Sequence, residues 1–398
     1  MKPWRAYTNI FALRLNRALK REVIRNYPVL AYIEPTLFCN LRCPACPTGL
    51  RLNLRPAARI DPALFHAMID EVGDYLFALH MYNWGEPLLF PQTPDLIRYA
   101  KTRDMAITLS SNLSLPLGDD MIERLVRSGL DRLVVSLDGA MPDTYRFYRR
   151  QGNFDRVREN MQRLQAAKTR LDCSTPEIVW QFLVFRHNEH EIDIARAEYR
   201  AWGADTLVIA GAHMPPNDPN FSPSTLPAYN LYHPDHAYQQ GARRAFRGAC
   251  SWLYGGVVLN PDGNVSPCCG VPAANDDFGV YDPASGFHAV WNGERYRRAR
   301  RLFRRRARAG VTDLDGRLDG MGVQVQTQAD ELICQHCPIP FRQDDADKII
   351  ARTAYDLLRR ALHERSPRYL VALVLMGGPN RAGIGWLMRR GKRLLMAF

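Results

Sequence analysis

Long apolar runs are missing from this 398-residue chain, and so is a signal peptide. The longest late run, Tyr369 to Met376, is too short to span a bilayer. The opening stretch, MKPWRAYTNIFALRLNRALKREV, breaks each apolar run with Arg or Lys and offers no small-residue cleavage site. Cysteine is scarce and odd in number: nine residues, most of them in two groups two hundred positions apart. A secreted domain stapled by disulfides is therefore excluded, and the pattern reads as intracellular metal chemistry. These absences place the protein in the cytoplasm.

Acidic residues are sparse in three places, and the net charge of +12 gathers there. Residues 1–28 carry Lys2, Arg5, Arg14, Arg17, Lys20, Arg21 and Arg25 against Glu22 alone; RYRRARRLFRRRAR (295–308) holds nine arginines; the tail from Pro379 has Arg381, Arg389, Arg390, Lys392 and Arg393 and no acid. One such run is ordinarily a solvated helix face, whereas three suggest an anionic surface or ligand. Apolar residues make up nearly half of the chain and charged ones a quarter, which suits a large folded core and excludes fibrous or disordered classes.

From residue 30 to 212, short β-rich runs alternate with helical patterns. The strand candidates are LAYIEPT (30–36), FALHMYN (77–83), AITLSSN (106–112), RLVVSLD (132–138), IVWQFLVF (178–185) and TLVIAGA (206–212). Helical stretches opened by Asp or Pro and closed by Gly lie between them. Six β/α units in succession predict an α/β fold with a parallel sheet curled into a partial (β/α)6 TIM-type barrel. Chemistry in such folds gathers beyond the carboxyl ends of the strands. The distinctive residues fall there in unit after unit: the cysteine loop, then NWGEP, SSN, SLDG and RHNEHE.

The organisation expected is a basic amphipathic segment (1–29), the partial barrel (30–235), a small cysteine-bearing domain (246–345) and a basic helical tail (346–398). Residues 213–245 read as a connector. YGGVVLNPDGNVSPCC reads as a hairpin turning at Asp262-Gly263.

In FCNLRCPACPTG (38–49), Cys39, Cys43 and Cys46 put three thiols into one proline-stiffened turn. A structural zinc site usually brings two separated ligand pairs, and a CxxC redox motif would use Cys43 and Cys46 and leave Cys39 over. Three thiolates suit an iron-sulfur cluster with one open iron.

The pattern C-x3-C-x2-C directly after a first strand resembles the signature of the radical S-adenosylmethionine (SAM) superfamily. The resemblance implies that Cys39, Cys43 and Cys46 bind a 4Fe-4S cluster whose fourth iron chelates SAM. The reduced cluster would then release a 5′-deoxyadenosyl radical that takes hydrogen from an unactivated C–H bond, chemistry that belongs to the cofactor. It further implies that Gly85, Glu86 and Pro87 receive the methionine amino group, that Ser111, Asn112, Ser136 and Asp138 meet its carboxylate and the ribose, and that Asn188 lies near the adenine. A reductant such as flavodoxin or ferredoxin is implied as partner. Ala45 departs from the family, where an aromatic often precedes the third cysteine.

Cys250, Gly263 and Cys268 (C-x12-G-x4-C) with Cys334 and Cys337 (C-x2-C) are similar to the SPASM extension of radical SAM enzymes. Its full form carries seven cysteines. The four thiols here imply one auxiliary 4Fe-4S cluster, with Cys269 an alternative ligand or a spare; a zinc site is the competing reading on spacing alone. Cys173 reads as a small buried hydrophobe.

For the substrate, the amphipathic basic start and the GWLMRRGKRLLMAF end point to an anionic or membrane-associated molecule, a lipid or lipid-linked intermediate, met at the membrane periphery. Maturation of a ribosomal peptide is an alternative. Only about thirty residues precede the first strand, too few for the leader-binding domain expected of such a maturase. Dehydrogenation or epimerisation of a sugar or aminoglycoside is another alternative, an epimerase needing Cys269 or Cys173 as hydrogen donor. Outside the enzyme class stands a zinc-containing RNA-binding protein gripping phosphates through 295–308. That reading leaves the six β/α units and the strand-end residues without a use, so no nucleic acid is expected as partner.

Overall fold

The structure, a computed structural model, describes residues 2–212, 221–231, 233, 249–309, 332, 334, 345–364 and 367–376. The barrel strands form where the apolar runs predict: β1 (Leu30–Ile33), β2 (Ala78–His80), β3 (Ala106–Ser111), β4 (Arg132–Ser136), β5 (Glu177–Val184) and β6 (Thr206–Gly211). They lie in consecutive order, each parallel to its neighbour. Among the described residues the sheet does not close.

Helices α1 (Trp4–Ala18), α2 (Pro62–Val72), α3 (Thr93–Lys101), α4 (Asp119–Arg127), α5 (Pro142–Tyr148), α6 (Phe154–Arg170) and α7 (Ile192–Glu198) precede or separate the strands. Local chemistry sets their ends. Asp61 accepts a hydrogen bond from Ala63 N with Pro62 in the first turn, and Asn153 accepts from Arg156 N. In α4, Asp119 and Asp120 open the helix while Arg124 and Arg127 close it, matching the helix dipole.

The strands have two unlike faces. Leu79, Ile107, Leu109, Leu133 and Val135 point outward under the helices and are wholly buried. Their alternates, His80, Thr108, Ser110, Val134 and Ser136, face the lumen and are only half-buried. The outer layer is a packed core, while the lumen keeps open space.

A second unit begins with α8 (Trp252–Gly255) and the hairpin β7 (Gly256–Leu259) and β8 (Asn264–Ser266), followed by β9 (Gly279–Val280), α9 (Phe287–Trp291) and α10 (Glu294–Ala309). Gly263 turns the hairpin at φ +83°, in the left-handed region that favours glycine. β7 pairs parallel with β1, so the hairpin and β9 extend the barrel sheet to nine strands among the described residues. The α-helical tail comprises α11 (Asp345–Glu364) and α12 (Pro367–Leu375).

Helix α1 covers the amino ends of the barrel strands. Its inner face buries Ala6, Tyr7, Ile10 and Leu13, with Tyr7 against Phe77 at 5.8 Å between ring centroids. Asn9 clamps the backbone of Tyr27 from both sides. The outer face carries Trp4, Phe11, Leu15 and Leu19 into solvent, and α12, packed beside α1, exposes Val371 and Val374. No helix among the described residues is long and apolar enough to cross a membrane.

Three arginines of 295–308 are built into the scaffold. Arg295 donates to the carbonyls of Asn275 and Asp277, and Arg301 pairs with Glu22. Arg300 is fully buried over Tyr254, Trp291 and Tyr296, donates to the carbonyls of Leu253 and Glu22, and is pushed by burial down to about 10.

A buried cluster ties Arg55, just after the cysteine loop, to Asp262 in the hairpin turn and to Asp277 beyond it. Arg55 forks onto Asp277 at 2.5 and 2.8 Å and reaches Asp262 at 3.1 Å, with the Arg55 and Asp277 side chains 2 % and 4 % exposed. Arg55→Ala leaves Asp277 buried without its cation, and we expect a loss of about 3–5 kcal/mol of stability, measured as a lowered midpoint of chemical unfolding.

Candidate active site

The carboxyl ends of β1, β2, β3 and β4 open onto a cavity of about 140 Å³. Cys39, Cys43 and Cys46 line it together with Gly85, Glu86, Ser111, Asn112 and Ser136. Eight further residues line it, among them Tyr82, Trp84, Ser110, Tyr148 and Arg149.

The cysteine loop is held in place by backbone bonds, Cys46 N to Cys43 O and Leu50 N to Cys46 O, and by Arg42 N on Arg150 O. Burial pushes the Cys39 thiol up to about 12 and also raises Cys43, against the pull of Arg149. Leu41 N lies 3.5 Å from Cys39 Sγ, Asn112 Nδ2 4.0 Å from it, and Arg149 Nη1 3.7 Å from Cys43 Sγ. Donors already face the sulfurs, as thiolate ligands require.

The second strand end is drawn tightly onto the first. A Cβ on Gly85 would stand 1.9 Å from the Thr36 carbonyl oxygen, so only glycine fits there. Glu34, at the end of β1, accepts hydrogen bonds from Trp84 N and Gly85 N at 2.5 Å each. Burial raises Glu34 to about 7 in spite of those donors. Glu86 does the same for the next pair of strands, accepting from Ser111 Oγ (2.8 Å), Leu88 N (3.1 Å) and Asn112 N (2.7 Å). Burial raises its pKa too.

Three of the sequence-predicted residues stand behind the cavity wall. Pro87 is buried at the start of a short 3-10 turn. Asp138 is wholly buried, accepts from Leu183 N at 2.8 Å and pairs with Arg149 at 2.5 Å. Asn188 caps the end of β5, bonding Phe185 N, Leu183 O and Asp138 O. Asp138 therefore reaches the cavity through Arg149, which lines it.

The second cysteine group sits beside this site. Cys250 is buried and Cys268, Cys269 and Cys334 are half-buried; Cys337 lies outside the described residues. Cys268 and Cys334 both act electrostatically on the buried Tyr296 hydroxyl, which places them in one neighbourhood. Asn83, with its amide oriented to suit its neighbours, donates to Cys269 O at 3.2 Å and links the two groups. Cys173 follows α6 at the amino end of β5, the opposite end of the barrel, with its sulfur 3.4 Å from Leu171 O.

Among the described residues no three His, Cys, Asp or Glu side chains converge closely enough to chelate a single ion. Cys39, Cys43 and Cys46 line the wall of one cavity, and three thiols are a donor set that fits an iron-sulfur cluster.

An open parallel β/α barrel whose strand-end loops gather three thiols and polar groups around one cavity defines a metallocofactor enzyme. The chain carries a radical SAM domain followed by a SPASM domain. Residues 33–196 match the radical SAM superfamily and residues 250–338 match the SPASM iron-sulfur cluster-binding domain. The first implies a 4Fe-4S cluster and SAM, the second an auxiliary iron-sulfur cluster. Among curated proteins the chain is similar to the AdoMet-dependent heme synthase of Methanosarcina barkeri, 32% identical over 36% of this chain and 40% of that protein. It is also similar to the PqqA peptide cyclase of Gluconobacter oxydans, 27% identical over 46% of this chain and 49% of that one. The match spans under half the length of each. Among solved structures, Streptococcus suis SuiB bound to S-adenosylmethionine shares the fold with a TM-score of 0.52, at 12% identity, over 69% of this chain and 68% of that chain.

The Glu34 shift has a definite sign. Its folded value lies above its ordinary 4.5, so ionisation costs the folded state nothing below about pH 4.5 and its full penalty above about pH 7. Glu34→Gln should remove that loss, on the order of 3 kcal/mol. The difference in unfolding midpoint between the variant and the parent should grow in the variant's favour from pH 4.5 to 7.

Proposed function

We propose that Cys39, Cys43 and Cys46 hold the SAM-binding cluster and that the protein abstracts hydrogen from an unactivated C–H bond of an anionic or membrane-associated substrate, a lipid or lipid-linked molecule. The observation that carries the first half is the convergence of the three thiols, the Gly85-Glu86 turn and the polar ends of β3 and β4 on one cavity. Bound there, the cluster and SAM supply a 5′-deoxyadenosyl radical.

The chain's own residues bind and orient. Glu34 and Glu86 fix the turn that receives the methionine ammonium, and Ser111, Asn112 and Ser136 offer hydroxyl and amide groups to its carboxylate and the ribose. Arg149, neutralised on one side by Asp138, holds a fixed positive charge beside Cys43. Asp138 and Asn188 set the far wall on which the adenosine would lie. Cys250, Cys268, Cys334 and Cys337 are proposed as ligands of the auxiliary cluster, and a flavodoxin or ferredoxin as the electron donor.

The membrane part rests on the outer face of α1. Trp4, Phe11, Leu15 and Leu19 recur at helical spacing on one exposed stripe, with Arg5, Arg14, Lys20 and Arg21 on the same segment. That is the pattern of a helix lying in a lipid interface with anionic headgroups. Peptide maturation is the second reading, favoured by the likeness to the PqqA peptide cyclase.

Protein purified without oxygen should be brown and carry iron and sulfide for two clusters. Converting Cys39, Cys43 and Cys46 to Ala should abolish reductive cleavage of SAM, measured as 5′-deoxyadenosine. Converting Cys250 to Ala should leave some uncoupled cleavage. Normal cleavage in the triple variant refutes the assignment.

Vesicles of phosphatidylglycerol should carry the protein upward in flotation, and Phe11→Glu with Leu15→Glu should reduce the floated fraction several-fold. Equal flotation of parent and variant, or none of the parent, removes the membrane reading.

A further inference from the structure

Below the cysteine cavity lies a larger one, of about 650 Å³, within the size range of small-ligand pockets. It occupies the barrel lumen from the amino ends of the strands upward. Strand by strand the two cavities follow one another. In β3, Ala106 and Thr108 line the lower space and Ser110 the upper; in β4, Arg132 and Val134 line the lower and Ser136 the upper. Tyr82 borders both. From Ala106 to Ser110 is about 13 Å at the rise of a strand.

The wall changes character along that axis. In the lumen, Leu30, Tyr32, Val134, Val179 and Val208 supply apolar surface. The charges there are already met: Arg132 pairs with Glu177 at 2.8 Å and Lys101 with Asp131 at 2.5 Å. His80 stacks on Tyr32 at 4.5 Å, bonds the Tyr82 hydroxyl, and is pushed by burial down to about 4, so it is neutral.

At the cap the balance is positive. Lys348, Arg352, Asp356 and Arg360 lie four residues apart, along one stripe of α11 that faces the cavity. Arg352 and Arg360 are exposed, and neither pairs with a carboxylate among the described residues. Tyr7 of α1 and Tyr369 of α12 complete the cap. The helices whose outer faces carry the exposed apolar stripe thus close this cavity with their inner faces.

We propose that the lumen binds a long-chain anion end-on: its charged group rests on Arg352 and Arg360 at the cap, and its apolar chain runs up the lumen past Val134 to Tyr82. This rests on the reading of the substrate as anionic and membrane-associated, and it adds where the two halves of that molecule go. A chain held in this way presents to the upper cavity an atom about 13 Å or more from its charged end.

The test uses the full, cluster-loaded protein without vesicles. Isothermal titration compares monomeric dodecyl phosphate with inorganic phosphate and with dodecyltrimethylammonium. Dodecyl phosphate should bind once per chain, at least tenfold more tightly than either comparator. Arg352→Glu with Arg360→Glu, both exposed at the mouth of the cavity, should weaken it at least tenfold, and Val134→Phe should do the same by filling the lumen.

Equal affinity for the cationic amphiphile, or full binding by the charge-reversal variant, overturns the inference. So does the absence of binding to a parent protein that still cleaves SAM and floats on anionic vesicles. That last pattern leaves the proposed function standing, whereas binding by a protein that neither cleaves SAM nor floats would defeat that function and keep the lumen site.

Discussion

Everything at the carboxyl end of this barrel depends on how closely the end of β2 approaches the end of β1. The contact is backbone on backbone: Gly85 lies against the Thr36 carbonyl with no room for a Cβ, and a carboxylate oxygen of Glu34 takes the N–H groups of Trp84 and Gly85. Glu86 repeats the device one strand further on, with Ser111 and Asn112. Two buried carboxylates stitch three strand ends together by accepting hydrogen bonds, and the cysteine loop is laid on the surface they make. In a low-dielectric interior such bonds are strong and directional, which makes the cavity floor rigid.

The balance of charge around the cavity follows from the same economy. Arg149 is the cation that lines it, and Asp138 holds that guanidinium in place from behind. A positive charge fixed 3.7 Å from Cys43 favours the thiolate form that a metal requires and opposes the effect of burial. The site therefore shelters its thiols from water while supplying a fixed dipole and charge to offset part of the cost.

Much of this was legible in the chain. The six apolar runs became six parallel strands because runs of that length, separated by capped helices, have one economical arrangement. The polar residues after them were readable as strand ends, and Cys39, Cys43, Cys46, Gly85, Glu86, Ser111, Asn112 and Ser136 meet at one cavity. Asp138 and Asn188 gave the same signal for a different reason, since a buried side chain that satisfies backbone groups also sits at a strand end. Glu34, Tyr148 and Arg149 went unread. Glu34 left a trace, an acid closing an apolar strand; Arg149 is brought in by the turn after α5, and that helix is too short to have a clear period. The arginines of 295–308 looked like a surface for an external anion, but Arg295, Arg300 and Arg301 take carbonyls, aromatic rings and Glu22 as partners, which only tertiary packing reveals.

The pairing of β7 with β1 bears on the order in which the chain can fold. β1 is an inner strand, yet one of its two neighbours, Gly256–Leu259, follows all the other barrel strands in sequence. During synthesis, one edge of the strand that carries the cysteine loop stays unpaired until the hairpin has left the ribosome. Closing so distant a contact is slow relative to the local β/α units on either side. The loop that gathers the three thiols is thus the part of the barrel whose support arrives last, so a cluster delivered to a finished chain meets a settled site and one delivered early meets an open edge.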